Sequence, residues 1–583
     1  MFKVKKHQLL SLLCIMFTML LMGCNLISSK KDSVEEDFTS FTNRIFATEV
    51  QQDTITLNFS LADPKAYGID NPEVTFGEFS VKSIEDNLIR SENYLSTLKQ
   101  FNYNELSESD KLTYDILKKD LELELELGDY ILYTEILGPT TGIQAQLPVL
   151  LAEYNFYNKN DIETYLKLLP QVYTYFKDIA LFEKEKSEAG LFMNDDVANN
   201  IINQCNNFIE DKENNYLIEI FNERIDNFPG LTKKEIANYK KLNQKAVVSY
   251  IIPAYELLIK ELGKLKGTGT NEGGLAHYKK GKEYYEYLLA TRTGSAKSVP
   301  ELKKMLESSI NTNLLKLSTI ITKNPSVYDV ATNPTYSLTD PSEIVEYLKA
   351  GIERDFPAPP KVNYSIKYVH ESLQEYLSPA MYLIPAVDNY QDNIIYINNN
   401  PSYDMSQIYP TIAHEGYPGH LYQSVYFRSK NPSPIRSLLS FGGYVEGWAT
   451  YVEYHSFYSA GFDLDVASFL DASMAANMAL YCRLDIGIHY DGWSLAETTD
   501  YLKQFGLTDD KTIQTLYTTM LDEPALYPQY GVGYLEFINL KNIAKKELGN
   551  KFNLKEFHTF LLDIGPSQFD VIESRLHTWA KSK

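Results

Sequence analysis

Apolar residues recurring at intervals of three and four dominate this chain from about Asp37 onward, and they constrain its fold more than any other feature. Such spacing places the apolar side chains on one face of a helix, which can then pack against a core. The pattern is clearest over residues 110–127, 161–187 and 299–322. The sequence therefore predicts a mainly α fold.

Helix start signals support this prediction. Asp340-Pro341-Ser342-Glu343 combines an N-cap residue, a first-turn proline and an acid at the N3 position. Thr232–Glu235 has the sequence of a capping box, and a helical pattern follows it as far as Leu262. Proline removes a backbone donor, so we expect a kink at Pro253.

The length of 583 residues is enough for several domains, but no repeat of fixed period and no long low-complexity linker divides the chain. A glycine-rich loop at Gly267–Gly274 is the best candidate for a boundary between lobes. We therefore expect one helical domain over residues 37–583, built as a large body of two lobes.

One short segment reads as a strand. Ile394–Ile397 is apolar and β-branched, and asparagines, an aspartate and a proline bound it on both sides. It lies shortly before the candidate active site, where an edge strand can pair with the backbone of an extended substrate. A short structural hairpin is the alternative.

The N-terminus has the features of an export signal. Lysines at positions 3, 5 and 6 precede an uncharged apolar run from Leu9 to Met22, which is shorter than the ~20 residues of a spanning helix. The run ends at Gly23-Cys24, which resembles a bacterial lipoprotein cleavage box. We predict a signal peptide over residues 1–23, lipidation of Cys24, and a polar tether over residues 24–36. The alternative is an ordinary secretory signal in which Cys24 has no role.

These features predict a protein of the cell envelope, outside the cytoplasm, held at the membrane by lipid on Cys24. The formal net charge of −22 repels phosphate backbones, so a nucleic-acid partner is not expected. Of the four cysteines, Cys14 and Cys24 lie in the N-terminal segment, and Cys205 and Cys482 show no spacing typical of a disulfide framework or metal site, so we expect these two to be free thiols.

The segment in which histidines are concentrated is the best candidate for an active site. Four of the nine histidines, His414, His420, His455 and His489, lie within 76 residues. The central segment reads His414-Glu415-Gly416-Tyr417-Pro418-Gly419-His420. Two imidazoles with one carboxylate form a three-ligand zinc site that leaves a position for water, and Glu415 beside the first ligand is the expected base.

The spacing of the two histidines differs from the familiar H-E-x-x-H motif. On an unbroken helix, a side chain six residues after His414 points about 120° away from it, which prevents joint coordination. Pro418-Gly419 offers a solution, because proline and glycine together can end the helix. We therefore expect an irregularity at this pair that turns His420 back toward the metal.

These motifs carry a resemblance to a known family. The chain resembles the bacterial domain-of-unknown-function family 885, which is marked by H-E-x-x-P-G-H and a downstream E-G-W-A and is often described as containing lipoproteins or metallopeptidases. The matching segments are Tyr278–Tyr285, His414–His420, Val445–Ala449, Arg483–His489 with Trp493, and Tyr530–Gly533. The family is in turn similar to helical zinc peptidases of the gluzincin type.

The resemblance implies roles for residues outside the central segment. A gluzincin-like site takes its third ligand from a second helix, which implies Glu446. It also implies that a histidine and a tyrosine stabilise the oxyanion, and His489 and Tyr530 occupy the matching positions. Tyr534, one helical turn beyond Tyr530, is the reserve candidate for contact with the substrate.

Several neighbouring residues remain open to two interpretations. Glu453 is expected behind the metal ligands or simply exposed, and His455 is expected to be an ordinary hydrogen-bonded histidine. Arg483 and Asp485 are expected to form a structural ion pair. The alternative for Arg483 is to receive a substrate carboxylate.

The predicted function is hydrolysis of peptide bonds by a zinc-activated water, with Zn²⁺ as cofactor and a peptide as substrate. Two alternatives remain. One is a surface lipoprotein that binds a metal or ligand without turnover, and the other is an amidase acting on cell-wall peptides.

Overall fold

The computed structural model describes residues 37–583 except 272, 372, 373, 375 and 376. The predicted signal peptide, the lipidation site at Cys24 and the polar tether lie outside the described residues. None of the helices in the described part of the chain is both long and apolar enough to cross a bilayer.

The described residues form 24 α-helices and one three-stranded sheet, which confirms the prediction of a mainly α fold. The helices before the sheet are α1 Phe38–Val50, α2 Thr54–Ser60, α3 Val81–Leu98, α4 Glu108–Glu126, α5 Ile143–Ala152, α6 Lys159–Leu168, α7 Val172–Glu188, α8 Asp195–Phe208, α9 Tyr216–Asp226, α10 Lys233–Ala246, α11 Ile252–Leu265, α12 Gly281–Thr293, α13 Val299–Lys323, α14 Ser326–Thr332 and α15 Pro341–Gly351. The strands are β1 Asn363–Tyr368, β2 Ala380–Leu383 and β3 Asp392–Ile397. The helices after the sheet are α16 Tyr409–Glu415, α17 His420–Ser429, α18 Gly442–Ser456, α19 Leu464–Ile486, α20 Leu495–Lys503, α21 Asp510–Asp522, α22 Leu526–Leu548, α23 Leu554–Ile564 and α24 Phe569–Lys581.

The start signals work as their chemistry predicts. The Asp340 carboxylate accepts hydrogen bonds from the backbone N–H groups of Ser342 and Glu343 at the start of α15. Thr232 and Glu235 form a reciprocal capping box at the start of α10. Near Pro253, one turn of π-helix at Val247–Ile251 separates α10 from α11, and this turn accommodates the proline.

One long helical segment is interrupted. The pattern over residues 161–187 belongs to two helices, α6 and α7, with a 3₁₀ turn at Leu169–Gln171 between them. Pro170 lies within this turn and lacks the N–H that a continuous helix requires at that position.

Most of the buried apolar side chains belong to two large clusters, which agrees with the expected two lobes. One cluster is formed mainly by α5–α11. The other is formed by α1, α3 and α4 together with most helices from α13 onward. The loop that begins at Gly267 follows α11, the last helix of the first cluster.

The sheet lies between these clusters, and its alternating side chains contribute to both. Tyr396 and Met381 pack into the cluster of α5–α11, whereas Ile395 and Ile397 pack into the other. Successive residues of a strand point to opposite faces, so a strand with both faces covered contributes to two cores. The sheet therefore joins the two lobes.

The order of strands corrects the prediction of an edge strand at Ile394–Ile397. The order is β1-β3-β2, with β1 parallel and β2 antiparallel to β3. β3 is thus the central strand, and its backbone is already paired on both sides. A run of consecutive apolar residues fits this position, because both faces of a central strand are buried. The alternative prediction, a short structural hairpin, agrees better with the structure, because β2 and β3 are consecutive antiparallel strands.

Candidate metal centre

A break between two helices brings the two predicted histidine ligands together. α16 ends at Glu415, a cis Tyr417–Pro418 peptide bond follows, and α17 begins at His420. The rings of His414 and His420 lie 4.7 Å apart between centroids and are almost perpendicular. The irregularity expected at Pro418-Gly419 is therefore present, and it removes the 120° offset of a continuous helix.

Two neighbouring contacts hold the break in place. A Cβ atom on Gly419 would lie 1.7 Å from the carbonyl oxygen of His414, so only glycine fits where the chain folds back. The indole N–H of Trp448 donates a hydrogen bond of 3.0 Å to the carbonyl of Pro418. Trp448 is fully buried, and it ties the break to α18.

α18 supplies the third predicted ligand. A carboxylate oxygen of Glu446 lies 3.6 Å from Nε2 of His414 and 3.6 Å from Nε2 of His420. The ligand atoms of these three residues all lie within 4.8 Å of one another, and all three side chains are buried. Two imidazoles and one carboxylate are a donor set typical of a hydrolytic zinc site.

The ligand atoms lack partners within the protein. Nε2 of His414, both ring nitrogens of His420 and Oε2 of Glu446 are buried without a hydrogen bond in the described part of the chain. Buried polar atoms without partners are costly, and a cation at their centre would satisfy one nitrogen of each histidine together with the Glu446 oxygen. The residues present therefore fit a metal ion.

Buried charges perturb the pKa values of the ligands. Burial raises the pKa of Glu446, but the adjacent His420 and His414 outweigh this effect and hold it at about 2. Burial lowers the pKa of His414, whereas the neighbouring carboxylates of Glu446 and Glu453 raise it well above its ordinary value. The carboxylates thus favour a cationic centre.

Glu453 orients the first histidine. Its carboxylate lies 2.9 Å from Nδ1 of His414, so it fixes the ring with Nε2 directed at Glu446. Glu446 and Glu453 are seven residues apart, which places them on nearly the same face of α18. Carboxylates that hold a ligating imidazole in this way make it a stronger donor to the metal.

Glu415, the predicted base, lies beside these ligands and against the sheet. It is 4% exposed, and its Oε2 accepts a hydrogen bond of 2.8 Å from the backbone N–H of Tyr382 in β2. Burial raises the pKa of its carboxyl group above the ordinary value. This contact with Tyr382 was not predicted, and the only sequence signal for it is the short apolar run that forms β2.

The structure gives His489 backbone partners. It lies in a single π-helical turn, Gly487–Asp491, and is 1% exposed. Its Nδ1 accepts a hydrogen bond from the N–H of Leu275, and its Nε2 donates one to the carbonyl of Met520. Burial lowers its pKa to about 4, so the ring is neutral. In this conformation neither nitrogen is available to a substrate oxyanion.

The two predicted tyrosines lie on α22, which packs along α18. A Cβ on Gly447 would lie 2.4 Å from the backbone of Gly533, so glycines allow the two helices to approach closely. Tyr530, three residues before Gly533, is 4% exposed. Tyr534 packs its ring against Tyr454 with centroids 5.1 Å apart. The roles predicted for both tyrosines stay predictions.

The expected ion pair between Arg483 and Asp485 is wrong. Arg483 pairs instead with Glu307 at 3.2 Å and Asp491 at 3.1 Å, and it lies over the ring of Trp493. Residues two apart on a helix point in nearly opposite directions, which explains the error. Arg483 is 6% exposed, and these contacts give it a structural role, while the alternative of binding a substrate carboxylate stays a prediction.

Asp485 and His455 also have local partners. The carboxylate of Asp485 accepts hydrogen bonds from the Tyr285 hydroxyl and, at 3.1 Å, from the N–H of Ala525. His455 lies 3.2 Å from Asp355 and is hydrogen-bonded there, as expected for a histidine that is not a ligand. Cys205 and Cys482 are both free and buried, as predicted.

Comparison with known proteins now identifies the family. The family model described as a bacterial protein of unknown function, DUF885, matches residues 65–576. The chain belongs to the DUF885 family. No curated protein matches the chain.

Two solved structures share the fold of this DUF885 protein. One, described as a "putative lipoprotein" from Colwellia psychrerythraea, has a TM-score of 0.82 at 17% identity and covers 95% of this chain and 100% of its own. The other, described as a "putative lipoprotein of unknown function" from Shewanella oneidensis, has a TM-score of 0.63 at 16% identity and covers 93% and 100%. At these identities the likeness shows the fold alone.

Proposed function

We propose that this DUF885 protein is a zinc-dependent peptidase. The observation that carries the proposal is the convergence of His414, His420 and Glu446, whose buried ligand atoms have no other partner in the described chain. A carboxylate base adjoins this group, as hydrolysis requires. A zinc ion held by these residues would polarise the scissile carbonyl and lower the pKa of a water molecule.

The protein's own residues then handle the proton. Glu415 accepts the proton of the attacking water and later delivers it to the leaving amine. The backbone N–H of Tyr382 holds the Glu415 carboxylate by a single hydrogen bond, which leaves the other oxygen to receive the proton. Tyr530 is proposed as the donor to the oxyanion, and the mechanism assigns no step to His489.

A peptide is the proposed substrate, and the proposed location is the envelope, with lipid on Cys24 as the anchor. The two solved structures that share the fold are described as lipoproteins, which supports this location. The apolar run before Cys24 supports it independently.

The experiment combines metal analysis with a peptide library and the Glu415→Gln variant. We expect about one zinc ion per chain in the wild type and in Glu415→Gln, no zinc in His414→Ala, and cleavage by the wild type alone. Bound zinc without cleavage of any peptide would favour a binding lipoprotein. Cleavage of cell-wall stem peptides but not of linear peptides would favour the amidase. A fully active Glu415→Gln variant would exclude the assigned base.

A further inference from the structure

A cavity of about 250 Å³ lies at the N-terminal end of α18, the helix that carries Glu446. It is bounded by Gly442, the first residue of α18, by Gln529 of α22, and by residues of α4 and α12. Gly442 and Glu446 are four residues apart on α18, so they lie on the same side of the helix and about 6 Å apart along its axis. The cavity, which we call the acidic chamber, therefore begins about one helical turn from Glu446, the proposed third ligand.

Three carboxyl groups in the acidic chamber are wholly or partly without partners. Asp120 of α4 has no hydrogen bond or ion pair with any described residue. Glu124, one turn further along α4, accepts a hydrogen bond of 2.9 Å from Ser91. Oδ1 of Asp522 is buried and has no partner in the described chain. Carboxyl groups left in this state point to a ligand that donates to them.

Aromatic side chains in the acidic chamber provide a second, independent indication that it binds a ligand. Tyr284 is 3% exposed and lines the chamber, and its hydroxyl makes no hydrogen bond to a described residue. Its ring stacks near that of Tyr287, with centroids 6.1 Å apart and an angle of 24° between the planes. Aromatic rings beside carboxylates are typical of sites for organic cations.

A bare metal ion does not fit this arrangement. Among the described residues, the group of three ligand side chains whose atoms converge within 4.8 Å is that of His414, His420 and Glu446. The carboxyl groups of the chamber are thus too far apart to share one metal ion. They suit a longer cation that can reach several of them.

The chamber also contains one cation of the protein, Arg292, whose Nη1 is buried without a partner in the described chain. Two further acids at the wall are already engaged, Glu523 by the N–H groups of Thr140 and Thr141, and Glu135 by Lys186. Three carboxyl groups thus remain against one guanidinium. Burial raises the pKa values of Asp120 and Asp522 to about 7 and that of Glu124 to about 8, and a positively charged ligand in the chamber would draw these groups into their ionised form.

We propose that the acidic chamber is a substrate subsite that binds a cationic group of a peptide, either a lysine or arginine side chain or the free α-amino group. This inference rests on the proposed function, because it assigns the chamber to the substrate of the same metal centre. It commits the substrate class to peptides that carry a positive charge near the scissile bond.

The test measures peptide binding to the Glu415→Gln variant by calorimetry, so that turnover does not interfere. The probes are alanine hexapeptides, acetylated and amidated, in which one residue is lysine, norleucine or glutamate and is moved along the chain. A norleucine peptide with a free α-amino group is measured as well, and it tests binding of the terminal amine in the absence of a charged side chain. We expect a lysine peptide or the free-amine peptide to bind about tenfold or more tightly than the blocked norleucine peptide.

Matched variants locate the effect in the chamber. Asp120→Asn removes one charge without changing size, and it should weaken binding of the preferred cationic peptide about tenfold while leaving the norleucine peptide unchanged. Glu126→Gln is the control, since it removes a charge from an exposed position of the same helix and should change neither affinity.

Four results overturn the inference: equal binding of all probes, no binding of any probe, tightest binding of the glutamate peptide, or an unchanged preference in Asp120→Asn. Cleavage of the norleucine peptide by the wild type tests the peptidase separately. Charge-dependent binding without cleavage would reject the proposed peptidase activity and support the cationic subsite. Cleavage without a preference for charged peptides would support the peptidase activity and reject the subsite.

Discussion

The buried imidazole of His489 predicts a defined loss of stability in acid. Both of its ring nitrogens are engaged by backbone groups, one as acceptor and one as donor, which requires the neutral form. Burial lowers its pKa from 6.5 to about 4 in the folded protein. The unfolded chain therefore takes up a proton at this residue at a higher pH than the folded protein does.

The size of the effect follows from these two values. Stability contributed by neutral His489 is fully present above pH 6.5 and is lost as the pH falls toward about 4. At about 1.36 kcal/mol per pH unit, the fall from pH 6.5 to pH 5 lowers the free energy of unfolding by about 2 kcal/mol. Below pH 4 the loss from this residue levels off at about 3 kcal/mol.

The assay compares urea unfolding of the wild type and His489→Gln at pH 7 and pH 5. Glutamine can keep a donor for Met520 and an acceptor for Leu275 but does not titrate. The variant should lose about 2 kcal/mol less than the wild type over this interval. An identical pH dependence in the two proteins would refute the reasoning. Hydrolysis that survives in His489→Gln would further support a structural role for this histidine.

Three more predictions concern the metal and the helix packing. Glu453→Ala removes the carboxylate that orients His414, and equilibrium dialysis should show zinc affinity reduced about 10- to 100-fold. Removal of zinc by a chelator should lower the melting temperature, since zinc at 100 times its Kd stabilises the folded state by about 2.7 kcal/mol, and re-addition of zinc should reverse the change. Gly447→Ala places a Cβ 2.4 Å from the backbone of Gly533 and should destabilise the protein by about 1–3 kcal/mol in thermal unfolding. Gly263→Ala on α11 is the control, because its Cβ meets nothing within 4 Å and the melting temperature should not fall.

The convergence of the candidate ligands was predictable because these residues are concentrated in two short segments. His414 and His420 are close in sequence, and the proline and glycine between them indicate where the helix must end. The downstream segment contains a ligand, a glycine for close packing and a tryptophan that fixes the break, at three consecutive positions from Glu446 to Trp448. Each of these roles depends on local chain geometry, which the sequence largely determines.

Features that depend on distant pairing were predicted less well. The strand at Ile394–Ile397 was found, but its central position depends on β1 and β2, which have weaker sequence signals. The acids at Asp120 and Glu124 read as a solvated helix face, because the chamber that surrounds them is completed by residues about 400 positions later, such as Asp522. Such contacts have no local pattern.

The strands that contribute side chains to both apolar clusters have a mechanical consequence. β2 gives Met381 to one cluster and Tyr382 to the other, and the N–H of Tyr382 holds the Glu415 carboxylate. Any rocking of one lobe against the other would therefore shift the hydrogen-bond donor that holds Glu415, the proposed base. In the proposed mechanism, the Glu415 carboxylate is held in place only while both lobes pack against the same three-stranded sheet.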